Sequence, residues 1–353
     1  MIPATAQTVR VGIIGLGRSG WNIHAHALSG LPDLYRVVAV ADPVAERLDE
    51  GRRRFGAGGY EQAEALIADP DVDLVVVSTP TNTHLPLGLA AVRAGKHLLL
   101  EKPMVRDVAE LDELQAAAEA ASTVVTCFHN NRFEPSFQAV CDTIASGRIG
   151  DPVLIRRTYH RYGRRADWQS LRVHGGGELA NTGSHAIDQM LRMYPGREIE
   201  LSADLRRTIT VGDAEDHIKL MLQIKDGPLY EIEASATIAL PQPTWWVAGT
   251  AGGLSVSGDR LEVRWLDPDT FGALVPEPGA APGRLYTSEE PPGWSTETIR
   301  LPPGDQRAAD YYRSLHGALT GSGEPPVSFA DIRLQLELIA RARASGVRPP
   351  SPA

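Results

Sequence analysis

The feature that most constrains the fold is residues 9–20, "VRVGIIGLGRSG", a short apolar run followed by glycines in the spacing G-x-G-x-x-G. The apolar run predicts a buried parallel strand, and a helical pattern continues from Ser19 to Ser29. A second predicted strand, residues 35–42, ends in the acidic Asp42. A glycine turn between a strand and a helix, followed by such an acid, indicates a dinucleotide-binding unit.

Glycines in this turn let the backbone approach a pyrophosphate, and the start of the helix offers free N–H groups to its charge. Asp42 would accept hydrogen bonds from ribose hydroxyls and repel a 2′-phosphate, which favours NAD over NADP. Arg18 is the one residue of the turn that could reverse this preference. A glycine-rich turn in some other α/β protein is the alternative interpretation. The residues predicted to bind NAD here are Gly15, Gly17, Arg18, Ser19, Gly20 and Asp42.

Strands and helices continue to alternate up to residue 128. Strands are predicted at 72–79, 96–103 and 123–128, and helices at 86–95 and 107–121. This alternation predicts an α/β fold with a doubly wound parallel sheet, in which ligands lie outside the carboxyl ends of the strands. Those ends also carry "TPTNTH" (79–84) and "EKP" (101–103), which adds six cofactor candidates: Thr79, Pro80, Thr81, His84, Glu101 and Lys102.

The regular alternation of strands and helices ends in the second half of the chain, so we predict domains at 1–128 and 129–353. A helix is expected at 135–147, and strands at 152–159, 199–209, 217–225, 229–238 and 261–266. Several strands lack intervening helices, which predicts an α+β domain with a mostly antiparallel sheet. Residues 267–305 are rich in Pro and Gly and are predicted to form a long loop. Helices at 306–320 and 330–345 close the chain and could pack back on the first domain.

Composition excludes several classes of protein. The net charge is −9 and no basic cluster suggests a nucleic-acid surface. Cys127 and Cys141 have no CxxC partner, no apolar run reaches membrane-spanning length, and the N-terminal residues lack a signal-peptide pattern. We therefore expect a cytoplasmic protein that acts without nucleic acid or membrane.

Six segments together resemble the Gfo/Idh/MocA family of oxidoreductases, and the resemblance covers nearly the whole chain. They are "GIIGLGRSG" (12–20), "TPTNTH" (79–84), "AGKHLLLEKP" (94–103), "NNRFEP" (130–135), "GGGELANTGSHAID" (175–188) and "GTAGGL" (249–254). The resemblance implies a Rossmann domain joined to an open-faced α/β sheet domain. It also implies a nicotinamide-dependent dehydrogenase for sugars or polyols, and a homodimer or homotetramer built on an apolar open sheet face.

Site residues follow from the same resemblance. Lys102 matches the family's catalytic lysine and His185 its proton-exchanging histidine, while Asn181 stands where the family usually has aspartate. Because one helical turn separates Asn181 from His185, we expect the amide to leave His185 less basic than an acid would. Asp188 matches a recurrent acid, and the Lys102–Pro103 bond is a candidate cis peptide. Substrate contacts are expected at Arg132, Trp168, Arg172, Asn181 and His185, and no metal is expected.

The chemistry agrees with these roles. Oxidation of a secondary alcohol needs hydride to leave carbon while a proton leaves oxygen, and NAD accepts the hydride. A histidine accepts protons near neutral pH, and a lysine ammonium favours negative charge on the alcohol oxygen. The leading hypothesis is therefore an NAD-dependent dehydrogenase acting on a sugar, polyol or inositol-like cyclic alcohol. One alternative is an enzyme that keeps NAD bound and cleaves glycosides by transient oxidation; another is a cofactor-sensing regulator without catalysis.

Overall fold

The structure, a computed structural model, describes residues 8–267, 276, 279 and 293–349. Its first half forms a parallel sheet of six strands in the order β3-β2-β1-β4-β5-β6. Strand order reverses between β1 and β4, and this switch point creates the crevice in which such sheets bind ligands. The strands are β1 Val9–Ile14, β2 Tyr35–Ala41, β3 Gly58–Tyr60, β4 Leu74–Val77, β5 His97–Leu100 and β6 Val125–Cys127.

Helices cover this sheet. The glycine turn opens into a π-helical segment, Gly20–Ala25, which continues as α1. Asp107 caps α5 by accepting the backbone N–H of Glu110. The α-helices of this half are α1 His26–Ser29, α2 Ala45–Phe55, α3 Ala63–Ile67, α4 His84–Arg93 and α5 Val108–Ala121. The sequence analysis missed β3 and α3, which are short and lack a long apolar period.

The second sheet has nine strands in the order β14-β13-β12-β11-β7-β10-β9-β8-β15. Only the β7–β10 and β8–β15 pairs are parallel, so the predicted α+β domain with a mostly antiparallel sheet is confirmed. The strands are β7 Pro152–His160, β8 Ile199–Arg206, β9 His217–Ile224, β10 Leu229–Ser235, β11 Trp245–Gly249, β12 Gly252–Ser257, β13 Arg260–Trp265, β14 Ser295–Arg300 and β15 Val347–Arg348.

Four strands of this sheet were not predicted: β11, β12, β14 and the two-residue β15. The pair β11–β12 turns within "GTAGGL", whose glycines weaken the strand pattern. Strand β14 lies inside 267–305, which was predicted as a loop; it pairs with β13 at the edge of the sheet. Most of the rest of that predicted loop lies outside the described residues.

Four further helices belong to the second half: α6 Pro135–Ala145, α7 Ser184–Met193, α8 Arg307–Leu319 and α9 Phe329–Ala344. Tyr311 and Tyr312 of α8 are buried in the core of the first sheet. Helix α9 contributes Leu336 to that core and Leu338 to the core of the second sheet. We propose a domain boundary after residue 128, with the last two helices returning to bridge both halves.

The open face of the second sheet differs from our expectation of an apolar surface. Alternate residues of β9 and β10 bury one face in the core, which leaves Lys219, Glu231 and Glu233 on the other. Lys219 Nζ lies 2.9 Å from Glu231 and 3.2 Å from Glu233, and Arg156 adds a further 2.8 Å contact to Glu231. The part of this face formed by β7, β9 and β10 therefore carries a charged network, although Met221 and Trp246 are exposed apolar side chains beside it.

Candidate active site

The glycine turn has the close backbone approaches that a dinucleotide site requires. Gly15 has a φ of +88°, which side chains rarely adopt, and a Cβ on Gly20 would lie 1.8 Å from the Gly15 carbonyl oxygen. A Cβ on Gly17 would meet nothing within 4 Å, so this position faces open space. A side chain cannot fit where Gly20 approaches the Gly15 carbonyl oxygen. The turn therefore presents backbone atoms without side chains to the crevice.

Asp42 lies at the end of β2 and holds the turn in place. Its Oδ2 accepts the N–H of Leu16 at 2.7 Å and its Oδ1 accepts the N–H of Val44 at 2.9 Å. Arg47, in the first turn of α2, lies 3.9 Å from Asp42 Oδ2. The sequence analysis considered only Arg18 as a cation that could favour NADP; Arg47 is a second one. A helix predicted directly after Asp42 would have placed Arg47, in its first turn, beside the carboxylate.

The "TPTNTH" loop is tied mainly to itself and to its neighbour. His84 is buried, with Nδ1 3.0 Å from the Pro103 carbonyl oxygen and Nε2 2.9 Å from that of Thr79. Both ring nitrogens lie beside backbone carbonyl oxygens, so His84 joins two crevice loops, and its contact with a cofactor stays a prediction. The hydroxyl of Thr79 lies 2.6 Å from that of Thr83. Thr81 packs against Gly175.

Glu101, the first residue of "EKP", is buried beside a histidine that the sequence analysis did not connect with it. His24 Nε2 lies 3.3 Å from Glu101 Oε1 without the alignment of a hydrogen bond, and His24 Nδ1 lies 2.8 Å from the Tyr312 hydroxyl. Burial favours the neutral carboxyl, but His24 and Lys102 outweigh it and lower the pKa of Glu101 to about 2. Glu101 is therefore a fixed negative charge next to Lys102.

Lys102 reaches from the first half of the chain to the second. Its Nζ donates to Asn181 Oδ1 at 2.6 Å and to the Asn181 carbonyl oxygen at 3.0 Å. The Lys102–Pro103 peptide is cis, as anticipated. Burial lowers the pKa of Lys102, the charges of Glu101 and Glu178 oppose this, and Arg18 adds to the lowering. Arg18 therefore lies close enough to influence the ammonium.

Asn181 contacts Lys102 in the structure, a partner that the sequence analysis did not anticipate. A π-helical segment, Leu179–Gly183, precedes α7, and such segments occur often at functional sites. Asn181 directs its side-chain oxygen to Lys102, and no hydrogen bond joins Asn181 to His185 in the described chain. The direct partner of the Asn181 side chain is therefore Lys102.

His185 lies at the start of α7 with its ring packed edge-on to His129, at 5.5 Å between ring centres. Burial lowers the pKa of His185 well below its ordinary value, and the charges of Lys102 and His129 act in the same direction. Neither His185 Nδ1 nor His129 Nδ1 has a hydrogen-bond partner among the described residues. Gln335 lies 3.2 Å from His129 Nε2 and donates to the Ser184 carbonyl at 2.8 Å. The ring of His185 is neutral near pH 7.

His129 and Gln335 were both missed from the sequence. His129 directly follows β6, at the carboxyl edge of the parallel sheet where other site residues were sought, so its position was the available signal. Gln335 lies on α9, more than a hundred residues further along, and nothing local marks it.

Arg132, predicted to contact substrate, has another role. Its guanidinium lies 2.6 Å from Asp188 Oδ1 and 3.2 Å from Asp331 Oδ2, and it donates to the Pro326 carbonyl oxygen at 2.6 Å. These partners raise its pKa despite burial. Its two acidic partners lie on α7 and α9, so Arg132 joins these helices, and its contact with substrate stays a prediction. Through Asp188, Arg132 holds α7, the helix that carries His185, in place.

Trp168 and Arg172 lie on two short 3₁₀ turns before the glycines. Trp168 is half-buried, and Arg172 is exposed. Neither forms a hydrogen bond or ion pair with Lys102 or His185 among the described residues, so both remain predictions. Groups of three His, Cys, Asp or Glu suited to a metal ion are absent from the part of the chain that the structure describes.

Together these residues fit a bound NAD. The bare turn at Gly17 and the helix behind it suit a pyrophosphate, and Asp42 lies where the second strand ends. Lys102, Asn181 and His185 lie together where the two halves of the chain meet. A neutral imidazole and a buried ammonium beside one crevice can take up a proton and stabilise an alkoxide. The fold and site define an NAD-binding oxidoreductase of two domains.

Comparison with known proteins agrees. The family model described as "Oxidoreductase family, NAD-binding Rossmann fold" matches residues 9–129, and the GFO/IDH/MocA C-terminal domain model matches residues 137–255. The chain belongs to the Gfo/Idh/MocA family of oxidoreductases. No helix among the described residues is long and apolar enough to cross a membrane.

Relatives include dehydrogenases of inositols. The chain is 28% identical over 332 residues to scyllo-inositol 2-dehydrogenase (NADP(+)) IolW of Bacillus subtilis, covering 91% of this chain and 89% of IolW. It is 35% identical over 193 residues to myo-inositol 2-dehydrogenase of Thermotoga maritima, covering 54% and 56%. A variant of KijD10, a 3-ketoreductase from Actinomadura kijaniata solved with TDP-benzene and NADP, has the same fold, with a TM-score of 0.78, 23% identity and coverage of 98% and 100%.

Proposed function

We propose that this enzyme oxidises a secondary hydroxyl of a sugar, polyol or inositol with NAD, or catalyses the reverse reduction. The observation that carries the proposal is the contact of Lys102 with Asn181, which brings the ammonium from the "EKP" segment to the helix that bears His185. The inositol dehydrogenases among its relatives support this substrate class.

In this proposal each residue has one task. Bound NAD supplies the hydride acceptor for the carbon of the alcohol. Asn181 holds the Lys102 ammonium, which stabilises negative charge on the alcohol oxygen as its proton leaves. His185, neutral because burial lowers its pKa, accepts that proton. Arg132 holds Asp188, one turn beyond His185, and so fixes the orientation of the helix.

The cofactor preference for NAD over NADP is part of the proposal. The buried Asp42 carboxylate supports it, since it would repel a 2′-phosphate. Arg47 and the NADP named for IolW and KijD10 are arguments for the opposite preference. Measurement of kcat/KM with both cofactors decides between them.

We also propose a homodimer or homotetramer formed through the open sheet face, and a cytoplasmic location. A groove of about 560 Å³ lined by Trp246 and Trp294 lies where β11–β14 form that face, beyond the charged network. Light scattering that shows a monomer at micromolar concentration would contradict the oligomer. Cys127 and Cys141 are free, as in a reducing compartment, and cell fractionation tests the location.

The experiment that tests the function is an absorbance screen of sugars, polyols and inositols for NADH formation. We expect at least one cyclic polyol or sugar to support catalytic turnover. Glycoside cleavage without net NADH, by protein that retains NAD, would instead favour the glycoside-cleaving alternative. No turnover in either assay would contradict the proposal.

A further inference from the structure

A second pocket lies on the seam between the two halves of the chain, and the mechanism above does not use it. Its volume is about 90 Å³, the share of about three water molecules in the liquid. Thr81, Pro103 and Arg106 line it from the first half, and Ala180, Arg172 and Arg343 from the second. Both halves of the protein therefore contribute to one small, partly enclosed space.

Three guanidinium groups line this space, and two of them form no ion pair among the described residues. Arg106 is paired with Glu110, which accepts its Nε at 2.6 Å. Arg172 and Arg343 make no side-chain hydrogen bond or ion pair within the described part of the chain. Arg343 is half-buried at the end of α9, so its charge is only partly exposed to water. The negative end of the helix offsets a fraction of that charge.

Two carboxylates lie in the neighbourhood, but neither pairs with these arginines. Glu215 is buried, its Oε1 accepts the Leu179 N–H at 3.2 Å, and burial raises its pKa. Asp213 Oδ1 accepts the backbone N–H of Arg172 at 2.8 Å and not its guanidinium. Burial lowers the pKa of Arg343, Glu215 opposes this and Arg172 adds to it. Glu215 therefore offsets part of the charge of Arg172 and Arg343 without pairing with either, and the positive charge that remains in the pocket favours an anion.

The neutral lining adds a polar group. Thr81 is 2% exposed, it lines the pocket, and its hydroxyl has no hydrogen-bond partner among the described residues. Guanidinium groups match the planar, multiple acceptors of carboxylate and phosphate. We propose that this pocket binds an oxyanion, a phosphate or carboxylate group, between Arg172 and Arg343 with the Thr81 hydroxyl as a further donor.

This oxyanion has two sources with the same chemistry. Pro103 directly follows Lys102 and Ala180 directly precedes Asn181, so the pocket shares backbone with the candidate reaction centre. The anion is then either a charged substituent of the substrate or a free phosphate that stabilises the seam. Both use the same two arginines, and kinetics distinguish them.

The test is calorimetric titration of the full chain with inorganic phosphate at constant ionic strength, in excess NAD so that the glycine turn is filled. We expect saturable binding by the native protein. Arg172→Gln and Arg343→Gln should each weaken it about tenfold or more, since hydrogen bonds to charged groups are the strong ones. Arg341→Gln, on the same last turn of α9 but bonded to the Ile199 carbonyl, is the matched control and should bind normally.

Absence of saturable phosphate binding, or binding unchanged in both Arg172→Gln and Arg343→Gln, would overturn the proposal. Arg172 is exposed, so its variant serves even where Arg343→Gln does not fold. Phosphate that inhibits competitively with the alcohol identifies a substrate substituent, and phosphate that binds without competition identifies a separate ligand. The titration needs no turnover, so its outcome is independent of the proposed dehydrogenase activity.

Discussion

Lys102 Nζ donates to Asn181 Oδ1 across 2.6 Å, which joins the first half of the chain to the helix that carries His185. An amide in this position holds the ammonium without neutralising its charge. A carboxylate there would favour the protonated lysine and raise its pKa, which burial otherwise lowers. Residue 181 is therefore positioned to set the basicity of Lys102.

We predict that Asn181→Asp extends activity to higher pH. In the proposed mechanism oxidation needs protonated Lys102, so activity falls as pH rises through the lysine pKa. Since the new carboxylate raises that pKa, the alkaline limb of kcat/KM should move to higher pH, by about one to three units for a close pair. An alkaline limb that stays in place in an active variant would contradict this role.

Lys102→Ala and His185→Ala should each lower kcat by about a hundredfold to ten-thousandfold, the usual range for acid–base groups. NAD affinity should remain near the native value in both, which is the control. Lys102→Ala also removes two contacts between the halves of the chain, so a modest fall in Tm is expected for it. Near-native kcat in either variant would rule out its assigned role.

His129 is predicted to be a positioning residue for His185. Burial also lowers the pKa of His129, and the protonated ring lowers the pKa of His185, so His129→Gln should raise the pKa of His185. Oxidation requires neutral His185, and activity therefore rises as pH increases through this pKa. The acid limb of kcat/KM should move to higher pH in the variant, whereas a purely structural role would lower kcat at all pH values without moving the limb.

NAD should give a higher kcat/KM than NADP, and Asp42→Asn should narrow the difference. The substitution removes the charge that repels a 2′-phosphate and keeps one acceptor for the N–H groups of Leu16 and Val44. Arg47→Ala should have the opposite effect, because it removes the cation beside Asp42. Equal or better kcat/KM with NADP for the native enzyme contradicts the prediction.

Glu101 should stabilise the fold in a pH-dependent way. Its pKa is about 2 in the folded protein against 4.5 ordinarily, a difference that corresponds to about 3 kcal/mol. Because the folded pKa is lowered, this contribution is complete above pH 4.5 and is lost as pH falls through 2. Denaturant unfolding of native protein and Glu101→Gln should give free energies that differ most above pH 4.5 and converge towards pH 2. A constant difference would show that ionisation of Glu101 is not the cause.

Local patterns of the chain were sufficient for five of the six strands of the first sheet. The run before Gly15 is apolar apart from Arg10, as expected for a strand covered by helices on both faces, and β1 follows it closely. The glycine turn was equally readable, since only glycine tolerates the backbone approach between Gly15 and Gly20. Short strands such as β3 and β14 escaped, because three to six residues at a sheet edge carry little pattern.

The candidate site likewise has residues that the sequence indicated and contacts that only the tertiary structure determined. The sequence by itself determined which segments reach the crevice, because the carboxyl ends of parallel strands must meet at one edge, and so it indicated Glu101 and Lys102. Tertiary structure alone decided their partners. Asn181 contacts Lys102, Arg132 contacts Asp188, and His129 packs against His185. The two residues of each pair are more than fifty positions apart in the chain. Hydrogen bonds and charge pairs depend on ångström distances between side chains from different elements, and no local spacing in the sequence specifies these distances.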